Sequence, residues 1–531
     1  MDIKSMVESP HVVWKDNAVF WGFLLQSYEG GRDYTQAHIV GAGQSSSLWG
    51  SLFKYFVNGV EQKTASQLQG NLFKHSAEKD EDYKRRLDMS YYYNFCAPII
   101  DIYGDHLFKE AVNEEWGNIE ASIEEVTDDI DRKGSSIVEF RRELADMAQT
   151  FGHVFVVVDS PDYDTESIRT RAEQIDVRAF PYLTIYTPEN VINWALDEFG
   201  KPYWVLLREV YEGNADPAQF DAKEKDKCIY RLLTRTSWEV YDHDFKLINS
   251  GTHPVGEVPI ACIYDKKSKK ARSFLGISSL ADIAFISRDI YNACSELRQI
   301  LRDQTFSFLA IQGTSDEYRE LDIGTGKGLL YPTERNVPQY VSPPSENAQT
   351  YFNHIDRQIS KIYQLAKLDS GGVSAKVADP QGIADGQSGV SKAWDFNQTN
   401  SALSSKSSNL EDGEFRIWQL FAKWEGKEWD GSIQYSNEFS VTSLMDDLSE
   451  AEKSARVQLG KTYDIEIRKA IQRKKFPRAS EKELEDMGKE VEQLFSRPAA
   501  GKSMAEKAAQ LKQNGSQPGN QNGGTPWNTS K

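Results

Sequence analysis

The sequence predicts an α+β fold, because two different periodicities occupy separate stretches of the chain. Between residues 150 and 265, short apolar runs alternate with turns rich in Gly, Asn, Asp and Pro, which is typical of antiparallel strands. From residue 279 onward, apolar residues recur every three or four positions over long stretches, which is typical of helices. The length of 531 residues predicts two to four structural units.

The clearest strand is residues 153–158, His-Val-Phe-Val-Val-Val, which is bounded by Gly152 and a turn containing Pro161. An uninterrupted apolar run of this length is typical of a buried strand. Similar runs extend the unit and predict an antiparallel sheet. They are residues 182–186, 204–211, 230–235, 237–241 and 260–264.

Helices are predicted before and after this unit. Residues 81–110 and 136–150 have helical patterns, whereas residues 1–80 are mixed. A long helix should begin with Ser279 as its N-cap and Asp282 near its positive end. It should extend for about 25 residues, or roughly 37 Å. Its apolar stripe comprises Ile283, Phe285, Ile286, Ile290, Ala293, Leu297, Ile300 and Leu301.

The next segments alternate between strand-like and helical patterns. Residues 304–343 favour strands and turns, and a second long helix is predicted over 345–368, with Leu365 on its apolar stripe. A polar, Gly-containing loop occupies residues 369–389, and a third long helix should cover 390–424. The Ser-rich middle of that helix predicts an exposed or loosely packed surface.

The C-terminal part becomes progressively more polar. A short strand-like segment, residues 432–441, precedes charged helices over 443–496. From residue 497 the sequence is of low complexity, which favours disorder.

Charge and cysteine content exclude several classes of protein. The formal net charge is −18, whereas proteins that grip nucleic acid carry a basic face. The four cysteines are far apart, which argues against a disulfide framework or a zinc knuckle and fits a reducing cytosol. The N-terminus lacks a signal-peptide pattern, and no apolar run is long enough to span a bilayer. We therefore expect a protein of the cytosol, or of a particle assembled there.

No motif predicts catalysis. Residues 323–328, Ile-Gly-Thr-Gly-Lys-Gly, resemble a phosphate-binding loop, but Leu321 replaces its first Gly and Gly328 replaces the hydroxyl that would bind magnesium. The eight histidines are scattered, and the Gly-Gln-Ser-Gly stretch at 386–389 has the wrong spacing for a nucleophile elbow. We predict a protein without catalytic residues, metal ligands or a cofactor. On pattern alone, an ordinary helical domain with a β insertion remains an equal alternative.

Four stretches in this order resemble portal proteins of tailed bacteriophages, and the resemblance extends over roughly residues 15–500. The first stretch runs from Tyr83 through Asn94 to Leu107-Phe108. The others are residues 180–194, 253–259 and 275–282, the last of which enters the long helix. The helix–β–helix–loop–helix order that follows fits the same family.

The resemblance implies a ring-forming portal fold with an α/β wing, a helical stem, a small β-rich clip and a helical crown. The wing would be 1–275 and the clip 304–343, between stem helices at 276–303 and 344–369. A tunnel loop (370–389), a long wing helix with a return strand (390–442), the crown (443–496) and a disordered tail (497–531) would follow.

The same resemblance implies partners and a location. Such rings, typically of twelve subunits, occupy one capsid vertex in the virion, are assembled in the host cytoplasm, and conduct double-stranded DNA during genome packaging and ejection. The implied partners are the major capsid protein, the scaffold, the terminase large subunit and the head–tail adaptor, without a membrane. Another head protein, or less favourably a packaging enzyme, remains the alternative.

Candidate DNA-channel residues follow from that placement. A mostly uncharged loop suits sliding contact, and basic residues of the stem helices would touch phosphates weakly. Those stem residues could instead pair with carboxylates or face outward. The candidates are Ser374, Lys376, Gln381 and Gln387 in the loop, and Arg288, Arg298, Arg302, Arg357 and Lys361 in the stem.

Overall fold

A computed structural model describes the chain in segments. They are residues 2–35, 70–161, 170–211, 227–269, 274–305, 308–310, 339–341, 345–368, 389–437 and 439, with parts of 463–472 and 486–492. The chain divides into two compact units, Met1–Ser440 and Val441–Lys531. In the second unit, residues 467–469 and 486–492 are helical. The predicted crown and tail otherwise lie outside the described residues, as does most of the predicted clip.

The first unit mixes helices with antiparallel sheets, which confirms the α+β prediction. Its helices are α1 (Ile3–Glu8), α2 (Val12–Glu29), α3 (Gly31–Thr35), α4 (Asp80–Met89), α5 (Cys96–Leu107), α6 (Glu120–Val126), α7 (Ile137–Phe151), α8 (Arg171–Asp176), α9 (Ala281–Thr305), α10 (Ser345–Leu365) and α11 (Gly389–Trp424). Its strands are β1 (Asn113–Glu115), β2 (His153–Asp159), β3 (Tyr182–Tyr186), β4 (Val191–Leu196), β5 (Pro202–Tyr211), β6 (Lys227–Thr234), β7 (Ser237–Tyr241), β8 (Leu247–Thr252), β9 (Ile260–Tyr264), β10 (Phe308–Ala310), β11 (Gln339–Val341) and β12 (Ser432–Gln434).

Two sheets form the centre of this unit. One has three strands in the order β3-β2-β9, and the other is a five-stranded meander from β4 to β8. Every residue of β2 from His153 to Val158 is buried, because α7 and α11 pack against this sheet. We call these two sheets, with α2, α5, α7 and α11, the sheet region.

The predicted helix over 81–110 is interrupted, so that prediction was wrong in its middle. Residues 90–95, which form neither helix nor strand, separate α4 from α5. Asn94 explains the restart of the helix, because its side-chain oxygen accepts hydrogen bonds from the backbone N–H groups of Cys96 (2.9 Å) and Ala97 (3.0 Å). Such capping satisfies donors that the first helical turn leaves unpaired.

Two further expectations need correction. Ser279 is not the N-cap of α9, which begins at Ala281; its hydroxyl instead donates to the carboxylate of Asp265. The Ser-rich middle of α11 is only partly exposed, since Lys406 and Ser407 are buried there. Residues 1–80 also contain α2, whose apolar residues lie on nearly all sides and therefore give no clear stripe.

Candidate functional site

The predicted stem corresponds to an antiparallel pair of helices, α9 and α10, which we call the helical hairpin. Between the two helices in sequence lie β10 and β11, which pair with each other as an antiparallel ladder. The helices contact each other along their length. The structure thus brings the two predicted stem helices together, with a small β element between them.

Polar contacts set the register of the helical hairpin. The Tyr351 hydroxyl donates to the Glu296 carboxylate at 2.6 Å, which raises the pKa of Tyr351 to about 12. About one turn further along α10, His354 lies 2.9 Å from the Asp289 carboxylate, and about two turns further Gln358 donates to the same carboxylate at 2.7 Å. Two carboxylates of α9 therefore already have hydrogen-bond partners on α10, and neither forms an ion pair with Arg357 or Lys361.

A buried polar cluster lies where the helical hairpin meets the sheet region. The ammonium of Lys406, from the middle of α11, donates to Asp265 and to the Ser279 hydroxyl just before α9. The Tyr103 ring lies 5.0 Å from the same ammonium, and its hydroxyl donates to the Ala366 carbonyl just after α10. One cluster therefore connects the start of α9 and the end of α10, at the base of the helical hairpin, to the long helix.

The five basic candidates on the helical hairpin have different environments. Arg288 is half-buried beneath three Phe rings, and Arg298 donates to the Met89 carbonyl beside the Tyr91 ring. The other three are exposed and form no ion pair with any residue that the structure describes. They are Arg302, Arg357 and Lys361. Arg357 and Lys361 are four residues apart, so they lie on one side of α10.

The loop candidates Ser374, Lys376, Gln381 and Gln387 lie outside the described residues. The structure does describe both flanks of that segment. The Thr399 hydroxyl of α11 donates to the Lys367 carbonyl at the end of α10. The end of α10 and the first half of α11 therefore lie close together, beside the buried cluster around Lys406.

Several apolar residues lie on the surface of the helical hairpin. Phe285 is 45% exposed, Phe352 is 45% exposed and Leu365 is 49% exposed. Phe285 and Leu365 belong to the apolar stripes that the sequence predicts for these two helices. A helical period identifies an apolar face but does not say whether the same chain covers it.

One group of possible metal ligands occurs among the described residues. The turn between β7 and β8 brings Asp242, His243 and Asp244 close together. Asp242 already accepts the N–H groups of Asp244 and Lys246, at 2.9 and 2.8 Å, and so builds the turn itself. We assign no metal to this exposed turn. Among the described helices, none combines the length and apolar character that crossing a membrane would need.

Comparisons with known proteins find weak structural likeness. No protein-family model and no curated protein matches the chain. Three solved structures match 68% of this chain, each with a TM-score of 0.35: the virion of a native gene transfer agent particle (11% identity, 84% of that chain), the neck of an empty particle with C6 symmetry (10%, 85%) and the neck of a native particle with C12 symmetry (11%, 85%).

Proposed function

We propose that this chain is a portal protein, a non-enzymatic subunit of a ring at one vertex of a tailed-phage capsid. The observation that carries the proposal is the antiparallel helical hairpin with β10 and β11 between its helices, joined at its base to the 36-residue helix α11. This order matches the stem, clip, tunnel loop and wing helix that the resemblance implies. In a ring of about twelve copies, the hairpins would surround a central channel.

The surface of the helical hairpin is consistent with subunits packing side by side. Phe352 and Leu365 remain exposed in the single chain, although α10 is otherwise amphipathic. Neighbouring hairpins in a ring would cover such residues, and covering them removes apolar surface from water. An isolated helical domain gains nothing from this exposure.

The charge distribution is consistent with a channel that conducts DNA without holding it. Sparse exposed cations such as Arg302, Arg357 and Lys361 give weak, nonspecific contacts to phosphates. The net charge of −18 disfavours tight binding. We further propose that residues 370–389 face the DNA, that residues 304–343 dock the terminase and the head–tail adaptor, and that residues 443–496 form the crown.

Native mass spectrometry and negative-stain microscopy across a salt series test the proposal. A closed ring of about twelve chains with a central channel is expected, and salt should promote closure because every copy is acidic. A chain that stays monomeric at every salt concentration and also hydrolyses ATP would contradict the proposal and favour a packaging enzyme. A fixed, non-ring stoichiometry would favour another head protein.

A further inference from the structure

An exposed phenylalanine stands at the turn between β4 and β5. Phe199 is 82% exposed, although hydrogen bonds fix the backbone of the turn beneath it. The Asp197 carboxylate accepts the N–H groups of Phe199 (2.9 Å) and Lys201 (2.8 Å), and Arg235 donates to its other oxygen at 2.8 Å. The neighbouring Glu198 is exposed and forms no ion pair with the described residues. The turn therefore presents an apolar ring on a hydrogen-bonded backbone beside a negative charge, and we call Phe199 with Glu198 the knob.

An aromatic patch with the opposite charge lies on α2, α9 and the segment around Phe73. The guanidinium of Arg288 lies 4.7, 5.3 and 5.2 Å from the ring centres of Phe23, Phe73 and Phe285. Phe285 and Phe73 are 45% and 40% exposed, and Phe20 stacks on Phe285 at 5.8 Å. Arg288 forms no ion pair with any residue described by the structure. We call these five residues the patch.

We propose that the knob of one copy docks on the patch of a neighbouring copy, with Phe199 against Phe285 and Glu198 paired with Arg288. The two surfaces are complementary in apolar character and in charge. The knob offers one apolar ring and a carboxylate, and the patch offers several rings and a guanidinium. Aromatic residues and arginine are the side chains that most often anchor protein interfaces. This inference depends on the proposed ring. It identifies the knob and the patch as two of the surfaces through which neighbouring copies would contact each other.

The knob and the patch are different surfaces, so the contact is head-to-tail. A head-to-tail contact repeats from copy to copy and closes into a ring when the rotation permits. This placement assigns Arg288 to a contact between copies and not to the channel. DNA would not dock on the knob, because Glu198 carries a carboxylate that phosphates would repel.

Single substitutions and their mixture test the head-to-tail contact. Phe199→Ser and Phe285→Ser should each raise the protein concentration needed for half-assembly by roughly tenfold or more. Val138→Ser, an exposed apolar position on α7, is the matched control and should leave assembly unchanged. Mixing the two variants leaves one intact knob and one intact patch, so the mixture should form dimers and no rings. Rings from either variant at wild-type concentrations would overturn the contact.

A charge exchange and a cross-link test the pairing itself. Glu198→Arg and Arg288→Glu should each impair assembly, and their combination should restore it. The double variant Phe199→Cys/Phe285→Cys should form disulfide-linked ladders up to the ring size under oxidation, whereas each single Cys variant should not. Absence of both rescue and ladder, or a cross-link only within one chain, would overturn the inference. If the wild-type chain forms rings while these tests fail, the portal proposal stands and only the knob-and-patch contact is lost.

Discussion

The centre of the sheet region and the helical hairpin differ in how completely one chain buries their apolar residues. In the sheet region, α7 buries Phe140, Leu144 and Phe151 between neighbouring elements, and β2 is buried along nearly its whole length. In the helical hairpin, Phe352 and Leu365 remain at the surface. The difference teaches that the centre of the sheet region can be stabilised by its own core, whereas the hairpin, like the turn that carries Phe199, retains apolar surface suited to another chain.

Their charged groups differ in the same way. Arg141 of α7 is buried and donates to Glu414 of α11 at 2.6 Å and to Glu114 of β1 at 2.8 Å. Glu414 also accepts from the Tyr435 hydroxyl at 2.8 Å, which raises the pKa of that tyrosine beyond what burial alone does. In the helical hairpin, Asp289 and all of the basic candidates except Arg288 are exposed. Substitutions should therefore alter stability strongly in one region and weakly in the other.

The largest effect is expected from Arg141→Met. The substitution would leave Glu414 as a buried, unpaired charge, and breaking a buried ion pair in this way costs about 3–5 kcal/mol. We expect the free energy of unfolding, measured by urea denaturation, to fall by about that amount.

The adjacent Arg142 supplies the matched control. Arg142 pairs with Asp105 at 2.9 Å, but both side chains are exposed, so Arg142→Ala should cost less than about 1 kcal/mol. Equal losses from the two substitutions would contradict the view that buried charges hold the sheet region together.

A smaller, pH-dependent effect is expected at Asp146. Burial and, to a smaller extent, the nearby Asp101 raise the pKa of Asp146 to about 7, although Arg142 opposes the shift. An unfolded Asp titrates near 4, so the folded chain holds a proton between about pH 4 and 7 that the unfolded chain has released. The free energy of unfolding should therefore fall as the pH rises from about 4 to 7, because the folded chain keeps the proton of Asp146 in this window and the unfolded chain does not.

Asp146→Asn should abolish that slope. Relative to the wild type, the variant should gain about 2 kcal/mol at pH 8 and little at pH 4, since one pKa unit corresponds to about 1.4 kcal/mol and partial exposure screens the charge. Urea titrations at the two pH values measure it. Asp16→Asn, at an exposed position of α2, should change neither value; a gain for Asp146→Asn that is the same at both pH values would contradict the assignment.

Gly413→Ala should lower the free energy of unfolding by about 1 kcal/mol. A Cβ at this position of α11 would lie 2.8 Å from Cγ1 of the buried Ile263 on β9. Overpacking costs about 1–3 kcal/mol, and the gain in helix propensity offsets up to about 1 kcal/mol. Ser405→Ala, at an exposed position of the same helix, is the control in thermal unfolding. A stabilised Gly413→Ala variant would show that the helix–sheet contact is looser than its geometry implies.

The sequence predicted the helices and strands whose apolar residues follow a clear pattern. Strands β2, β3 and β9 and helices α7, α9, α10 and α11 were located to within a few residues. The capping box of Ser136 and Glu139 helps to explain the accurate start of α7. Strand β8, whose residues are mostly exposed, gave no alternating pattern and was missed.

The candidate site was less predictable, because it depends on contacts between distant segments. Nothing local to Lys406 indicates that it would be buried against Asp265, 141 positions away. Similarly, a helical period cannot distinguish Arg288 beneath three rings from the exposed Arg357. Local patterns identify which residues are basic, whereas tertiary packing decides which of them remain exposed.

The smallest effect on stability is expected at Arg357 and Lys361, the exposed cations that we propose contact DNA. Arg357→Gln with Lys361→Gln removes two exposed cations, so the free energy of unfolding should change by less than about 0.5 kcal/mol and rings should still form. If these residues face the channel, weak binding of double-stranded DNA should decrease and should depend less steeply on salt, because fewer phosphates are neutralised. Lys15→Gln with Lys84→Gln removes the same charge from exposed positions of α2 and α4. An equal loss of DNA binding in both double variants would reflect net charge alone and would contradict a channel face on α10.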